Sequence, residues 1–150
     1  MESSTDFYNL QRFIDAQEST YEAARREMSA GQKRSHWMWF IFPQIQGLGS
    51  SPTAQRYAIA NLEEGAAYLR HPLLGKRLEN CTELVNAIRG CSVADIFGYP
   101  DDLKFHSSVT LFARVAEEFG IEAPVFKEAL VRHFADRMDA GTLRQLGAPK

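Results

Sequence analysis

Along most of the chain the apolar residues recur at the spacing of a helix face. Between Asp6 and Gln17, Phe7, Leu10, Phe13 and Ile14 stand three and four residues apart, which predicts one buried helical face. Ser19 with Glu22 has the spacing of a capping box, so a second helix is expected from Thr20 to Ala30, stopping at Gly31. Pro52 after Ser51 marks another start, because proline at the first helical position loses no intrahelical hydrogen bond. Asn61 with Glu64 marks a short helix ending near His71-Pro72. The segment PLLGKRLENCTELVNAIRG aligns Leu74, Leu78, Cys81, Val85 and Ile88 and then reaches Gly90, the pattern of a long core helix. Ser92 with Asp95 opens a brief helical turn. Asp101 opens a long helix whose stripe runs through Val109, Phe112, Val115 and Phe119 to Gly120. Pro124 opens the next, with Phe126, Leu130 and Phe134 inward, and the closing GAPK should fray.

One stretch has neither period. HWMWFIFP, from His36 to Pro43, is short enough for a buried strand or a short buried helix, and Pro43 ends either by forcing Phe42 out of the helical region. Capped helices on every side leave a lone strand without a pairing partner. The expectation is therefore a mainly α, single-domain compact fold of roughly six to eight helices over residues 1–150, with frayed ends.

Two blocks, GQKRSHWMWFIFPQIQGLGSSPTAQRYAI and DDLKFHSSVTLFARV, resemble the signature regions of the domain of unknown function 1810 family, small bacterial proteins that often carry the name calpastatin. The pieces YLRHPLLGKRL and DIFGYPDDLK fit the same pattern, so the resemblance covers nearly the whole chain. Val109 stands where the family usually has methionine. The resemblance implies a mainly helical single domain and no established activity. It does not extend to a disordered protease inhibitor, since ten phenylalanines and periodic apolar faces describe a chain with a core.

Composition narrows the partners. A 150-residue chain with 45% hydrophobic residues, 24% charged residues and a net charge of -2 is an ordinary globular chain, without the basic excess of a non-specific nucleic-acid binder. No nucleic acid is expected. Cys81 and Cys91 have no metal spacing and read as reduced, partly buried thiols, and the start MESSTDFYNLQRF lacks the features of a signal peptide. The longest apolar run, WMWFIF, is far short of the ~20 residues of a membrane span. A cytoplasmic protein with no membrane partner is expected; the sequence does not address its oligomeric state. His36, His71, His106 and His133 show no HxxxH spacing, so neither a metal nor a cofactor is expected.

The candidate chemistry lies in the two blocks. Lys33 and Arg34 bring positive charge, His36 can exchange a proton near neutral pH, and Trp37 and Trp39 offer flat faces, although an aromatic cluster of this kind is also what a core looks like. Gln44 follows. In GLGSSP, Gly47 and Gly49 let the backbone approach a ligand, and Ser50, Ser51 and the free N–H groups of the next helix could hold an anion; an ordinary turn before a capped helix reads the same way. The loop has neither the GK[ST] ending of a phosphate-binding loop nor a dinucleotide fingerprint. In the second block, Asp102 shares a helix face with His106 and Lys104 with Ser108, while Ser107, Ser108 and Thr110 crowd hydroxyls onto a helix, which suits either a site or a solvated face. An Asp102–His106–Ser107 triad on one short helix would lack the required geometry. The expectation is a small anionic ligand of nucleotide or sugar-phosphate type between the blocks, held by Lys33, Lys104, Ser107, Ser108 and the GLGSS loop. His36 or Asp102 would be acid or base if hydrolysis or group transfer occurs. The alternative is a non-enzymatic protein-interaction module.

Overall fold

The computed structural model describes residues 6–147, and among them ten helices follow one another along the chain. They are α1 (Gln11–Glu18), α2 (Tyr21–Ser29), α3 (Met38–Ile41), α4 (Pro52–Arg56), α5 (Leu62–Arg70), α6 (Leu74–Ala87), α7 (Val93–Phe97), α8 (Asp101–Phe119), α9 (Val125–Phe134) and α10 (Ala140–Gln145). Six have eight or more residues and four are pieces of one to two turns, so the fold is mainly α, as the periodicity predicts. Helix α8 is the axis: α5, α9, α7, α10 and α3 all pack against it, and α6 packs in turn on α9, α5 and α2. Gly120 ends α8 in the left-handed conformation at φ 62°, a position where a Cβ would be strained.

The core is aromatic where the first block meets α8. The rings of Phe42 and Phe97 each lie 5.0 Å from that of Phe105, and Trp37 sits 6.4 Å from Phe42 and 6.3 Å from Phe97. Trp37, Phe42 and Phe105 are fully buried. Each such ring contributes roughly 1.5–3 kcal/mol by leaving water. HWMWFIFP thus resolves as the short helix α3 inside the core, and Phe42 turns the chain out of it with ψ 78° before Pro43. Beyond, a single parallel bridge joins Ile45 to Ile59 and closes the loop that carries GLGSS and α4.

Several local expectations change. The first helix begins at Gln11 instead of Asp6, because the Asp6 carboxylate accepts the N–H groups of Leu10 and Gln11 and Asn9 turns the chain with φ 56°. Phe7 is thereby left outside the helix and 85% exposed. The Ser19–Glu22 box does not form: Thr20 occupies the cap position, and its hydroxyl donates backward to the carbonyl of Ala16. The Ser92–Asp95 box forms in full, and Asn61 accepts from the N–H of Glu64 as its spacing implied. Cys81 is buried, and burial pushes its thiol up to about 12, whereas Cys91 is exposed instead of partly buried; both are free. Of GAPK, expected to fray, Gly147 forms a turn at φ 74° with its N–H donating to the carbonyl of Arg144, and residues 148–150 lie outside those described. No helix among the described residues is long and apolar enough to cross a membrane.

Candidate functional site

Glu27 of α2 holds the first block in place. One of its carboxylate oxygens accepts the backbone N–H groups of Arg34 (2.8 Å) and Ser35 (3.0 Å) and the indole N–H of Trp37 (2.8 Å). The other accepts the Ser35 hydroxyl at 2.5 Å. Burial would raise the Glu27 pKa, but the hydrogen bonds from Ser35, Arg34 and Trp37 outweigh it and hold the group at about 2. Trp37 therefore belongs to the core, with 1% of its surface exposed and its N–H satisfied.

Lys33 and Lys104 converge on a residue that the sequence marks only as a helix start, Asp101 at the first position of α8. Lys33 Nζ lies 2.8 Å from one carboxylate oxygen and Lys104 Nζ 3.1 Å from the other. Burial works to raise the Asp101 pKa, and the two ammonium groups more than offset it, so the carboxyl stays below its ordinary value. Both lysines also stand over tryptophans, Lys33 5.1 Å from the Trp37 ring centre and Lys104 4.3 Å from that of Trp39. The Trp39 face expected to stack on a ligand is thus taken by an ammonium group.

Two hollows open beside this cluster and share Trp39 and Lys104 as a wall. The larger, about 420 Å³, is bounded by Gln44, Leu48 and Gly49 of the first block, Leu103 and Ser107 of α8, and Arg144 of α10. The smaller, about 250 Å³, lies between Lys33, His36, Thr53 and Asp101. A tighter space of about 20 Å³ under the loop has room for little more than one water. A separate hollow near Arg70 and Lys76 sets those cations against Glu79 and Glu83, and burial, then Glu83, raises the Glu79 pKa.

The glycine-serine loop has an internal explanation. A side chain at Gly47, where φ is 102°, would run into Gln145, and one at Gly49 would meet Ala54 at 2.7 Å and Trp39 at 3.1 Å. The glycines admit the protein's own side chains. Ser51 accepts the N–H of Ala54 and so fills the cap of a five-residue helix, while Ser50 is exposed and its carbonyl accepts from Gln55. Neither hydroxyl lines the two hollows.

The hydroxyl row of α8 is neither a solvated face nor a free binding surface. Ser107, Ser108 and Thr110 are buried. Ser107 donates to Asp139 at 3.1 Å, Thr110 accepts the Asp139 N–H at 2.9 Å, and Asp139 in turn caps α10 through Thr142. The row docks α10, whose Arg144 completes the larger hollow. Ser108 Oγ, like Gln44 Nε2 and Asp102 Oδ1, is buried without a hydrogen-bond partner. Asp102 lines neither hollow and His36, exposed, lines only the smaller, so the two proposed acid–base residues do not meet across one ligand position. His106 stacks on Phe134 at 3.9 Å and lies 2.8 Å from the carbonyl of Arg137 through Nε2. Among the described residues no three His, Cys, Asp or Glu side chains gather to hold a metal ion.

A small helical domain with a cationic cleft beside its central helix is the class that fold and site define. The chain belongs to the family described as Protein of unknown function (DUF1810), which it matches over residues 7–146. It is similar to the conserved hypothetical protein Rv1873 from Mycobacterium tuberculosis, known from a crystal structure at 1.38 Å. The two share 48% identity and a TM-score of 0.88 over 94% of this chain and 98% of that one. No curated protein matches the chain.

Proposed function

We propose that the larger hollow binds a small organic anion with a ring or apolar body, and that the domain acts by binding. The observation that carries this reading is Arg144. Among the described residues its guanidinium forms no ion pair, although it borders the same hollow as Lys104. A cation without a carboxylate partner in a cleft is available to a ligand, and Leu48, Pro100 and Leu103 supply an apolar wall for the rest of it. Nucleotides and sugar phosphates are the probes that the two blocks suggest. Hydrolase or transferase chemistry gains no support from the separation of His36 and Asp102.

A thermal-shift screen with nucleotides, sugar phosphates, monocarboxylates and dicarboxylates tests the reading, since a ligand at 100 times its Kd adds about 2.7 kcal/mol of stability. A shift that disappears in Lys104→Gln is the expected result. No shift with any anion, or one that Lys104→Gln leaves intact, would overturn it. The interaction-module reading has one observation in its favour: Tyr99 is 82% exposed and Leu103 52%, next to Pro100 at the rim of the cleft. A Tyr99→Ala change that abolished capture of a protein partner while leaving anion binding intact would favour it.

A further inference from the structure

Taking the anion reading of the cleft as given, we infer that its ligand carries one negative charge, on a carboxylate, delivered to Arg144 with Lys104 beside it. The charges of the larger hollow define the class. Lys104 and Arg144 line it with Asp139, and next to it Lys33 is paired with Asp101, so one positive charge is left for a ligand. A monoanion neutralises the hollow, whereas a phosphate monoester would leave a negative excess and a nucleoside triphosphate a larger one, beside Asp139.

The donors point the same way. Arg144 presents a planar fork that matches the two oxygens of a carboxylate, and it is exposed, so no folding role competes for it. Lys104 is already bound to Asp101 and to the face of Trp39, so it can give a ligand one further N–H and not a phosphate cradle. The loop's hydroxyls add no cradle either: Ser51 occupies the cap of α4, and neither Ser50 nor Ser51 borders the hollow.

Gln44 adds a polar contact. It is 6% exposed, borders the larger hollow, and its amide nitrogen has no partner. Its terminal torsion is broad and two-fold, so the amide can turn that N–H toward the hollow without leaving its place. A carbonyl or hydroxyl next to the carboxylate would meet it. The body of the ligand rests on Leu48, Pro100 and Leu103, and a hollow of about 420 Å³ accepts on the order of ten to twenty non-hydrogen atoms. Aryl and branched-chain carboxylates fit this description.

The test is a calorimetric comparison of phenylacetate, indole-3-acetate, phenyl phosphate and ATP on the full chain. The two carboxylates should bind with Kd of about 1 mM or tighter, and phenyl phosphate and ATP should bind no tighter than phenylacetate. Arg144→Gln and Lys104→Gln should each weaken the carboxylates at least about tenfold, with circular dichroism and melting temperature showing that both variants fold. Arg144→Lys, which keeps the charge but not the fork, should fall between wild type and Arg144→Gln. If phenyl phosphate or ATP binds about tenfold tighter than phenylacetate and still depends on Lys104, the carboxylate inference is wrong and the anion site stands. If none of the four binds at about 10 mM, or binding ignores both substitutions, the anion reading fails as well.

Discussion

Replacing Glu27 with alanine strips the first block of its anchor. The change removes acceptors from the N–H groups of Arg34 and Ser35, the indole N–H of Trp37 and the Ser35 hydroxyl, all within 2.5–3.0 Å of the carboxylate. Hydrogen bonds to a charged group contribute roughly 1.5–3 kcal/mol each when buried, but Arg34 is exposed and Ser35 half-buried, so water recovers part of the loss. The proton affinity gives an independent limit. Moving the pKa from 4.5 to about 2 corresponds to at most about 3 kcal/mol, and partial solvent access lowers this to about 2–3 kcal/mol. Because the folded pKa is depressed, this stabilisation is fully present above pH 4.5 and is lost as the pH falls through 2. Urea unfolding followed by circular dichroism should therefore give Glu27→Ala a deficit of about 2–3 kcal/mol at pH 7, and less than half of that at pH 3. Glu27→Gln, which keeps one acceptor oxygen, should lose only about 1–2 kcal/mol. A deficit below about 0.5 kcal/mol at pH 7, or one of equal size at both pH values, would refute the reasoning.

Lys33→Ala should cost about 2–3 kcal/mol by urea titration, because its side chain is 8% exposed and its loss removes the better of Asp101's two partners. Lys104→Ala, at 24% exposure, should cost under about 1 kcal/mol by the same measurement. Equal costs for the two lysines would contradict the structural reading. Trp37→Ala should lose roughly 3–5 kcal/mol, and Trp39→Ala, which is only half-buried, distinctly less; the reverse order of melting temperatures would count against the core assignment of Trp37. Ser51→Ala should lower stability by about 1 kcal/mol through the cap of α4 and leave phenylacetate affinity unchanged, and a large loss of affinity would restore the loop as an anion site.

What was legible in the sequence was local. The Ser92–Asp95 box, the Ser51–Pro52 start and the long stripe of α8 depend on residues within a few positions of each other, and each appears where its spacing puts it. The meeting of Lys33 and Lys104 was legible because both blocks carry charge where a helix or core has no use for it. Asp101 was not, since an acidic residue in the first turn of a helix already has an ordinary reason to be there. Asp139 and Arg144 were hidden for another reason: they reach the cleft only because Ser107 and Thr110 dock α10, a contact between distant parts of the chain with no periodic signature. The Ser19–Glu22 box failed through local competition, a threonine hydroxyl turning back to the preceding helix α1. Glycine was the least informative residue of all, because Gly47 and Gly49 make room for Gln145, Ala54 and Trp39, and a loop that admits a side chain reads like one that admits a ligand.

One cleft, between the first block and α8, is proposed to receive an organic anion. A backbone amide NMR titration of the full chain with phenylacetate tests it directly. Shift changes should concentrate at Leu48, Gly49, Leu103, Lys104 and Gly141, saturate, and be lost in Arg144→Gln. Changes centred instead on Arg70, Lys76 and Asn80 around the separate hollow, or spread without saturation over the surface, would contradict it.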